Sequence, residues 1–250
     1  MTHLRRNTVW SATVLLCLVA VLLTPRLAFA APLPPQPTEP LSLCDPAQHT
    51  FTPDVTNPYF PLPIGRVWVY SGKEQGENVE LQITVLDATE TFNFGGGQRV
   101  TTRVVEEVEW VDTNANGVID SPGELIEVSR NYFAQTTEQG TVCYFGENVD
   151  IYENGRVVSN EGAWRADGRK GLPGSAPGIF MPAAPQRGMT FQQEVAPGVA
   201  EDLATITNVG KTTITVRDFN PLDGSSGTKV YEHGIGLIQD GPLRLVSVTG

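Results

Sequence analysis

Asp112, Asn114, Asn116, Gly117, Val118 and Asp120 stand at positions 1, 3, 5, 6, 7 and 9 of an EF-hand-type calcium loop. The spacing has a physical basis. Alternate side-chain oxygens and one backbone carbonyl, here that of Val118, converge on a hard cation while glycine permits the sharp turn. The bidentate glutamate of position 12 is displaced, because Gly123 occupies that place and Glu124 follows one residue late. Pro122 and Gly123 would have to bulge to bring the carboxylate in. Residues before Asp112 alternate as a strand, so this would be a calcium loop capping a β-hairpin. The same residues also suit plain Asx turns that need no ion. Two of the three leading side-chain ligands are neutral amides, which sets a modest affinity suited to extracellular calcium of about 10⁻⁴ to 10⁻³ M.

Acidic pairs offer a second route to chemistry. Glu194, Glu201 and Asp202 gather around Pro197-Gly198, and Glu147 and Asp150 follow a strand end. Glycoside hydrolysis needs two carboxyl groups facing each other across a cleft. With 28 acidic residues in the chain, solvated surface is the simpler account of any such pair. His233 beside Glu232 could act as a general base, but Gly234 and Gly236 mark a hairpin that suits a structural histidine. No serine carries glycines at nucleophile-elbow spacing, and no His-Glu-x-x-His pair occurs, which argues against serine and zinc hydrolases. Gly95-Gly96-Gly97 and Gly234-x-Gly236 read as hairpin glycines, since neither opens a helix after a buried parallel strand.

Cys44 and Cys143 are the cysteines beyond residue 30. An even pair in an oxidising compartment favours a disulfide. Two free buried thiols are the alternative, and a nucleophilic cysteine would need His49 or His233 as its base. Trp68, Tyr70, Trp110, Tyr144, Phe145 and Trp164 either line a concave sheet around a ligand or fill the core. Core is the favoured role, because aromatic and branched residues fill most half-buried strands.

The elements that must position these groups are strands. Val79, Leu81, Ile83 and Val85 face one way while Glu80, Gln82 and Thr84 face the other, and Val100, Val104, Val108 and Trp110 repeat the pattern. Met189, Phe191 and Val195, then Ile214 and Val216, then Leu243 and Leu245 extend it. Such alternation is antiparallel in character, since buried parallel strands read as continuous apolar runs. The best helix candidate is a turn or two over Val199–Thr205, after Pro197-Gly198. Gly168–Gly188 is rich in Pro and Gly and reads as a long loop packed across the sheet, with Ile179, Phe180 and Met181 to bury. No fixed-period repeat points to a propeller or solenoid.

Ahead of this region, Arg5 and Arg6 precede an apolar run from Val9 to Leu23, and Ala28-Phe29-Ala30 has the small-x-small form that signal peptidase cuts. Residues 1–30 are expected to be a secretory signal peptide, residues 31–40 a Pro-rich leader and residues 41–250 a single β-rich domain. The apolar run falls short of the roughly 20 residues that span a bilayer. Cleavage removes Arg5, Arg6 and Arg26 and no acid, so Lys+Arg falls from 17 to 14 against 28 Asp+Glu and the net charge becomes -14. Such acidity repels phosphate backbones and anionic headgroups, which argues against nucleic acid and against membrane insertion of the mature chain. It is compatible with cations.

Several segments carry a resemblance. NPYFPLPIGRVWVY (Asn57 to Tyr70), CYFGENVDIYENGRVVSNEGAW (Cys143 to Trp164), PGIFMPAAPQRG (Pro177 to Gly188) and QEVAPGVAED (Gln193 to Asp202) resemble a family of exported bacterial β-rich proteins. YEHGIGLIQ, Tyr231 to Gln239, is similar to the aromatic…Gly-x-Gly hairpin that ends many curved-sheet periplasmic proteins. The resemblance spans roughly Thr56 to Gly250 and implies export and a β fold without implying a reaction. Cys143 stands where the family pattern has tryptophan, and DTNANGVIDSPGE is longer and more acidic than its counterpart.

These readings converge on an all-β fold, a curved antiparallel sheet forming a half-barrel or sandwich with little helix. The expected role is a secreted or periplasmic non-catalytic binding domain whose partner is a small molecule or surface component. An extracellular hydrolase using a carboxylate pair and a structural envelope or matrix protein are the alternatives. Calcium, as the candidate cofactor of Asp112, Asn114, Asn116, Val118, Asp120 and Glu124, is expected to raise the thermal midpoint. Asp112→Ala should remove the increment, and an unchanged wild-type midpoint in millimolar calcium would contradict an occupied loop.

Overall fold

Strand alternation governs every long segment of the chain. The computed structural model describes residues 35–168 and 174–250. The expected signal peptide and the first four residues of the leader lie outside them. After the short β1 (Phe51–Thr52), the chain runs through β2 (Val67–Glu74), β3 (Glu77–Asn93), β4 (Arg99–Val111), β5 (Leu125–Thr136), β6 (Val142–Glu153) and β7 (Arg156–Ser159). Two short strands follow, β8 (Trp164–Arg165) and β9 (Gly178–Met181). A second run comprises β10 (Thr190–Gln192), β11 (Leu203–Val209), β12 (Thr213–Phe219), β13 (Ser226–Glu232), β14 (Gly236–Asp240) and β15 (Leu243–Thr249). Helical structure among the described residues amounts to short 3₁₀ turns, such as Leu41–Cys44.

Both runs are meanders in which each strand pairs antiparallel with the next. They join where β15 pairs with β2, giving the order β10-β11-β12-β13-β14-β15-β2-β3-β4-β5-β6-β7 in a single sheet. The ladder is not closed. β9 and β8 add to the same edge of β6 that carries β7, and β9 then lies against the segment after β10. Ala176 N–H donates to Val195 O at 3.0 Å, and the Gln193 side chain donates to Phe180 O at 3.3 Å. The approach is so close at Gly178 that a Cβ there would fall 2.0 Å from Gln193 O, which explains the glycine in the Pro-Gly-Ile-Phe-Met segment.

The sheet buries residues on both faces. Tyr132 and Phe133 are neighbours on β5, as are Tyr144 and Phe145 on β6, so each pair sends one ring to either side. On the inner face Phe133 stacks on Tyr144 at 4.8 Å and meets Phe180 at 4.7 Å, while Phe60 packs on Phe133 and Phe180. On the outer face Phe92, Tyr132 and Phe145 form a second cluster, with Phe51 edge-on to Phe145 and the Arg165 guanidinium 4.1 Å from the Phe92 ring centre. The half-buried strands expected from alternation are therefore covered on both sides at this end, because the N-terminal segment folds over the outer face.

Cys44 and Cys143 form the disulfide that pins this segment, with Cα atoms 5.7 Å apart across 99 residues of sequence. Ahead of it, the leader docks on the edge of β10, where Thr38 N–H donates to Thr190 O at 2.7 Å. No helix among the described residues is long and apolar enough to cross a membrane.

Two local expectations are corrected. The helix candidate over Val199–Thr205 is a tight turn, with Ala200 N–H donating to Ala196 O at 2.9 Å, followed directly by β11. Thr205, Ile206 and Val209 are β-branched and pair in register with β12, which favours the extended state over the helix. The long loop over Gly168–Gly188 contains a true strand, since Gly178–Met181 pairs with β6 and buries Ile179 and Met181 completely or nearly so. Residues 169–173 of that loop lie outside the description.

Replacing both cysteines with serine should lower the unfolding free energy by about 3 to 5 kcal/mol, the loop-closure entropy of a cross-link this long. Urea denaturation of the oxidised protein against the double variant measures it. A loss below about 1 kcal/mol would mean that the outer cluster holds the N-terminal segment without the bond.

Candidate functional site

The inner face collects charge as well as aromatic rings. Register places Ile83 opposite Glu107 and Leu81 opposite Glu109, so these two acids share a face with the buried apolar residues of β3. β5 sets Glu127 directly opposite Glu109, and Asn131 stands between Val105 and Glu147. From the second meander, Val216 lies opposite Lys229 and Lys229 opposite Asp240. Asp218, two residues beyond Val216, points the same way. Seven strands of a curved sheet thus bring residues more than a hundred positions apart onto one concave wall.

Lys229 is the hub. Its ammonium lies 3.2 Å from Asp240 Oδ2 and 3.7 Å from Asp218 Oδ2. Burial works to lower its pKa, but Asp240 and Asp218 outweigh that and hold the ammonium charged, above the usual lysine range. The carboxyl groups around it move upward. Burial pushes Glu107 to about 7 against the opposing pull of Lys229. Glu109 also reaches about 7, through burial and then repulsion by Glu127. Burial and the proximity of Asp202 carry Glu194 to about 8, and burial with Asp218 nearby brings Asp202 to about 6. Glu147 is raised well above its usual range, first by burial and then by Glu194. These side chains keep partial solvent access, 30% for Lys229 and 14% for Asp218, while set deep among protein atoms. Of them, Glu107, Glu109, Lys229 and Asp240 line hollows on this face.

Two adjoining hollows occupy the concavity. The first, of about 50 Å³, is walled by Phe60, Trp68, Tyr70, Ile83, Val105, Phe180, Tyr231 and Leu237, with Glu107, Lys229 and Asp240 as its charged members. The second, of about 220 Å³, shares Glu107 and Asp240 and adds Glu74, Glu109 and Glu127. The aromatic wall is fixed by hydrogen bonds across the meander junction. Trp68 Nε1 donates to Ile235 O at 2.9 Å, and Tyr70 Oη donates to Leu237 O at 2.8 Å.

The acids singled out from sequence divide. Glu194 and Asp202 come together, the Glu194 N–H donating to Asp202 O at 3.3 Å, and Glu147 joins them from β6. Gly146 makes this placement workable. Its φ of 118° and a would-be Cβ only 2.3 Å from Trp164 O leave no room for a side chain beside Glu147. Glu201 instead accepts the Gly198 N–H at 2.7 Å, and Asp150 accepts from Asn160 at 2.8 Å, both away from the cleft. His233 is exposed at its hairpin with its ring edge-on to Tyr59. Of the aromatic candidates, Trp68 and Tyr70 line the cleft. Tyr144 and Trp164 pack against each other in the core, and Phe145 belongs to the outer cluster.

The Asp112 loop sits on the other side of the sheet. Val118 and Ile119 border a hollow with Gln82, Val108 and Trp110. Asp112 accepts the N–H groups of Gly117 at 2.6 Å and Asn116 at 3.1 Å, which hold its carboxyl below the usual range. The side-chain amides of Asn114 and Asn116 both donate to Asp120. Glu124 accepts from the Thr113 hydroxyl and from the N–H groups of Asp120 and Ser121, closing a capping box on the turn Pro122–Glu124. The loop's oxygens are thus engaged with its own donors, and no three His, Cys, Asp or Glu side chains converge as a metal-holding group among the described residues.

Glu107, Glu109, Glu127, Lys229 and Asp240 escape a sequence reading. The available signal is Val104-Val105 followed by Glu106-Glu107 in one strand. Two adjacent valines mark a strand buried on both faces, so one of the following acids must face inward. No protein-family model, curated protein or solved structure matches the chain.

The raised acids fix a pH dependence. A carboxyl whose folded pKa is raised favours the folded state below its unfolded pKa, and that advantage is lost as pH rises through the folded value. For Glu107 and Glu109 the window runs from about 4.5 to about 7. Urea denaturation should therefore show stability falling by a few kcal/mol between about pH 5 and pH 8, and Glu107→Gln should remove roughly 1 to 3 kcal/mol of that fall. A profile that Glu107→Gln leaves superimposable on the wild type would place Glu107 in bulk solvent.

Proposed function

We propose that this protein is a secreted, non-catalytic binding domain that holds a small molecule with an apolar body in the concave cleft. The observation that carries the proposal is the aromatic hollow of about 50 Å³, with Glu107, Lys229 and Asp240 as its few charged members, adjoining the acidic hollow of about 220 Å³. A largely apolar concavity with a small number of converging polar groups is the usual form of a ligand site. The sequence features of residues 1–30 and the Cys44–Cys143 disulfide support an oxidising, extracytoplasmic setting. Burial with mutual repulsion of Glu147 and Glu194 supports, as a second reading, a hydrolase working through a carboxylate pair.

N-phenyl-1-naphthylamine, a neutral aromatic probe whose fluorescence rises in apolar surroundings, tests the cleft. The mature protein should enhance its emission saturably. Ile83→Phe, which fills the hollow, should weaken the apparent affinity at least about tenfold, equivalent to 1.4 kcal/mol, while circular dichroism stays native. Absence of saturable enhancement by folded wild-type protein would overturn the binding reading. Turnover of a glycoside substrate that disappears in Glu147→Gln would replace it with the hydrolase.

A further inference from the structure

Resting on that cleft reading, we infer that the ligand is an organic cation, its apolar body on Trp68, Tyr70 and Phe180 and its ammonium group in the adjoining acidic hollow.

The argument starts from charge balance. Among the described residues Lys229 is the one basic side chain lining the two hollows, and its ammonium is already partnered by Asp240 at 3.2 Å and Asp218 at 3.7 Å. The second hollow contains Glu74, Glu107, Glu109 and Glu127 beside Asp240, with no basic side chain among the described residues that line it. Glu109 and Glu127 stand directly opposite each other in the β4–β5 ladder, a position in which like charges destabilise the sheet. Repulsion of this kind inside a partly enclosed space is relieved either by protons or by a bound cation.

Geometry then chooses the kind of cation. Glu107 and Asp240 belong to both hollows, so the acidic space and the aromatic one share a wall. A small inorganic ion would leave the aromatic wall unused. A neutral apolar molecule would leave the acids unbalanced, and an anion would meet repulsion at the shared wall. A molecule with a flat apolar body and a protonated amine a few bonds away satisfies both spaces at once. Its hydrogen-bond donors would be met by ionised carboxylates, the stronger class of hydrogen bond, and the adjacent ring faces would add attraction for the positive charge.

A matched set of probes isolates the charge. 1-Naphthylmethylamine, 1-naphthylmethanol and 1-naphthylacetate share their ring system and differ at the polar end. Competition against N-phenyl-1-naphthylamine at about pH 7.5 and low salt should rank the amine at least about tenfold tighter than the alcohol, with the acetate weakest. In the Glu109→Gln/Glu127→Gln double variant the amine-to-alcohol ratio should fall to within about threefold, and in wild type it should shrink as sodium chloride screens the acids. Equal affinity for amine and alcohol would overturn the inference and leave the apolar cleft standing. A ratio unchanged in the double variant would also overturn it, by locating the charge preference outside the acidic hollow. Failure of all three naphthalenes and of N-phenyl-1-naphthylamine to bind would instead remove the cleft reading itself.

Discussion

The last strand of the chain lies beside its first long strand, with Leu245 opposite Tyr70 and Val248 opposite Trp68. Each half of the molecule is a meander that could form by local pairing, but neither half alone encloses anything. Pairing β15 with β2 is what turns two open ribbons into one curved wall. Trp68 and Tyr70 reinforce it by donating from β2 to carbonyl groups of the β13–β14 hairpin and β14. The cleft depends on that junction, because Trp68, Tyr70, Ile83 and Glu107 come from one meander and Lys229, Tyr231, Leu237 and Asp240 from the other.

Curvature creates a second requirement. A sheet this wide must bury one face completely at its tightest part and protect the other where strands run long. The chain meets it with consecutive aromatics on β5 and β6, one ring to each side, and with an N-terminal segment cross-linked through Cys44 to β6 at Cys143. Arg165, seated on Phe92 and paired with Glu90 at 3.0 Å, closes the outer cluster with a side chain that is both flat and charged. Rigidity on the outer side lets the inner side carry groups that do not stabilise folding.

Those groups are the acids. Glu107, Glu109, Glu127, Glu147, Glu194 and Asp202 all have pKa values raised primarily by burial, which is opposite to what stabilising ion pairs do to carboxylates. Asp112, Glu124 and Glu138, each held by N–H or hydroxyl donors, are shifted downward. One population of acids knits loops together, and the other is tolerated on the concave wall at a cost in stability. Repelling carboxyl groups beside an aromatic hollow are a departure from local stability rules of the kind found at functional sites.

Sequence by itself determined the periodicity of the strands, their antiparallel character and the even cysteine pair, because each follows from residue types a few positions apart. It also singled out the Asp112 loop, as a calcium-type loop or a plain Asx turn, since the spacing of its oxygen-bearing side chains is local. Tertiary structure alone decided which acids matter. Glu107 and Glu109 look in sequence like the polar side of an amphipathic strand, and only the register with Ile83 and Leu81 turns them inward. Lys229 becomes a hub because strand order sets β12 and β14 on either side of β13. The reason is physical: alternation fixes that neighbouring residues face opposite ways, but which of the two faces becomes concave depends on how distant strands pair and bend.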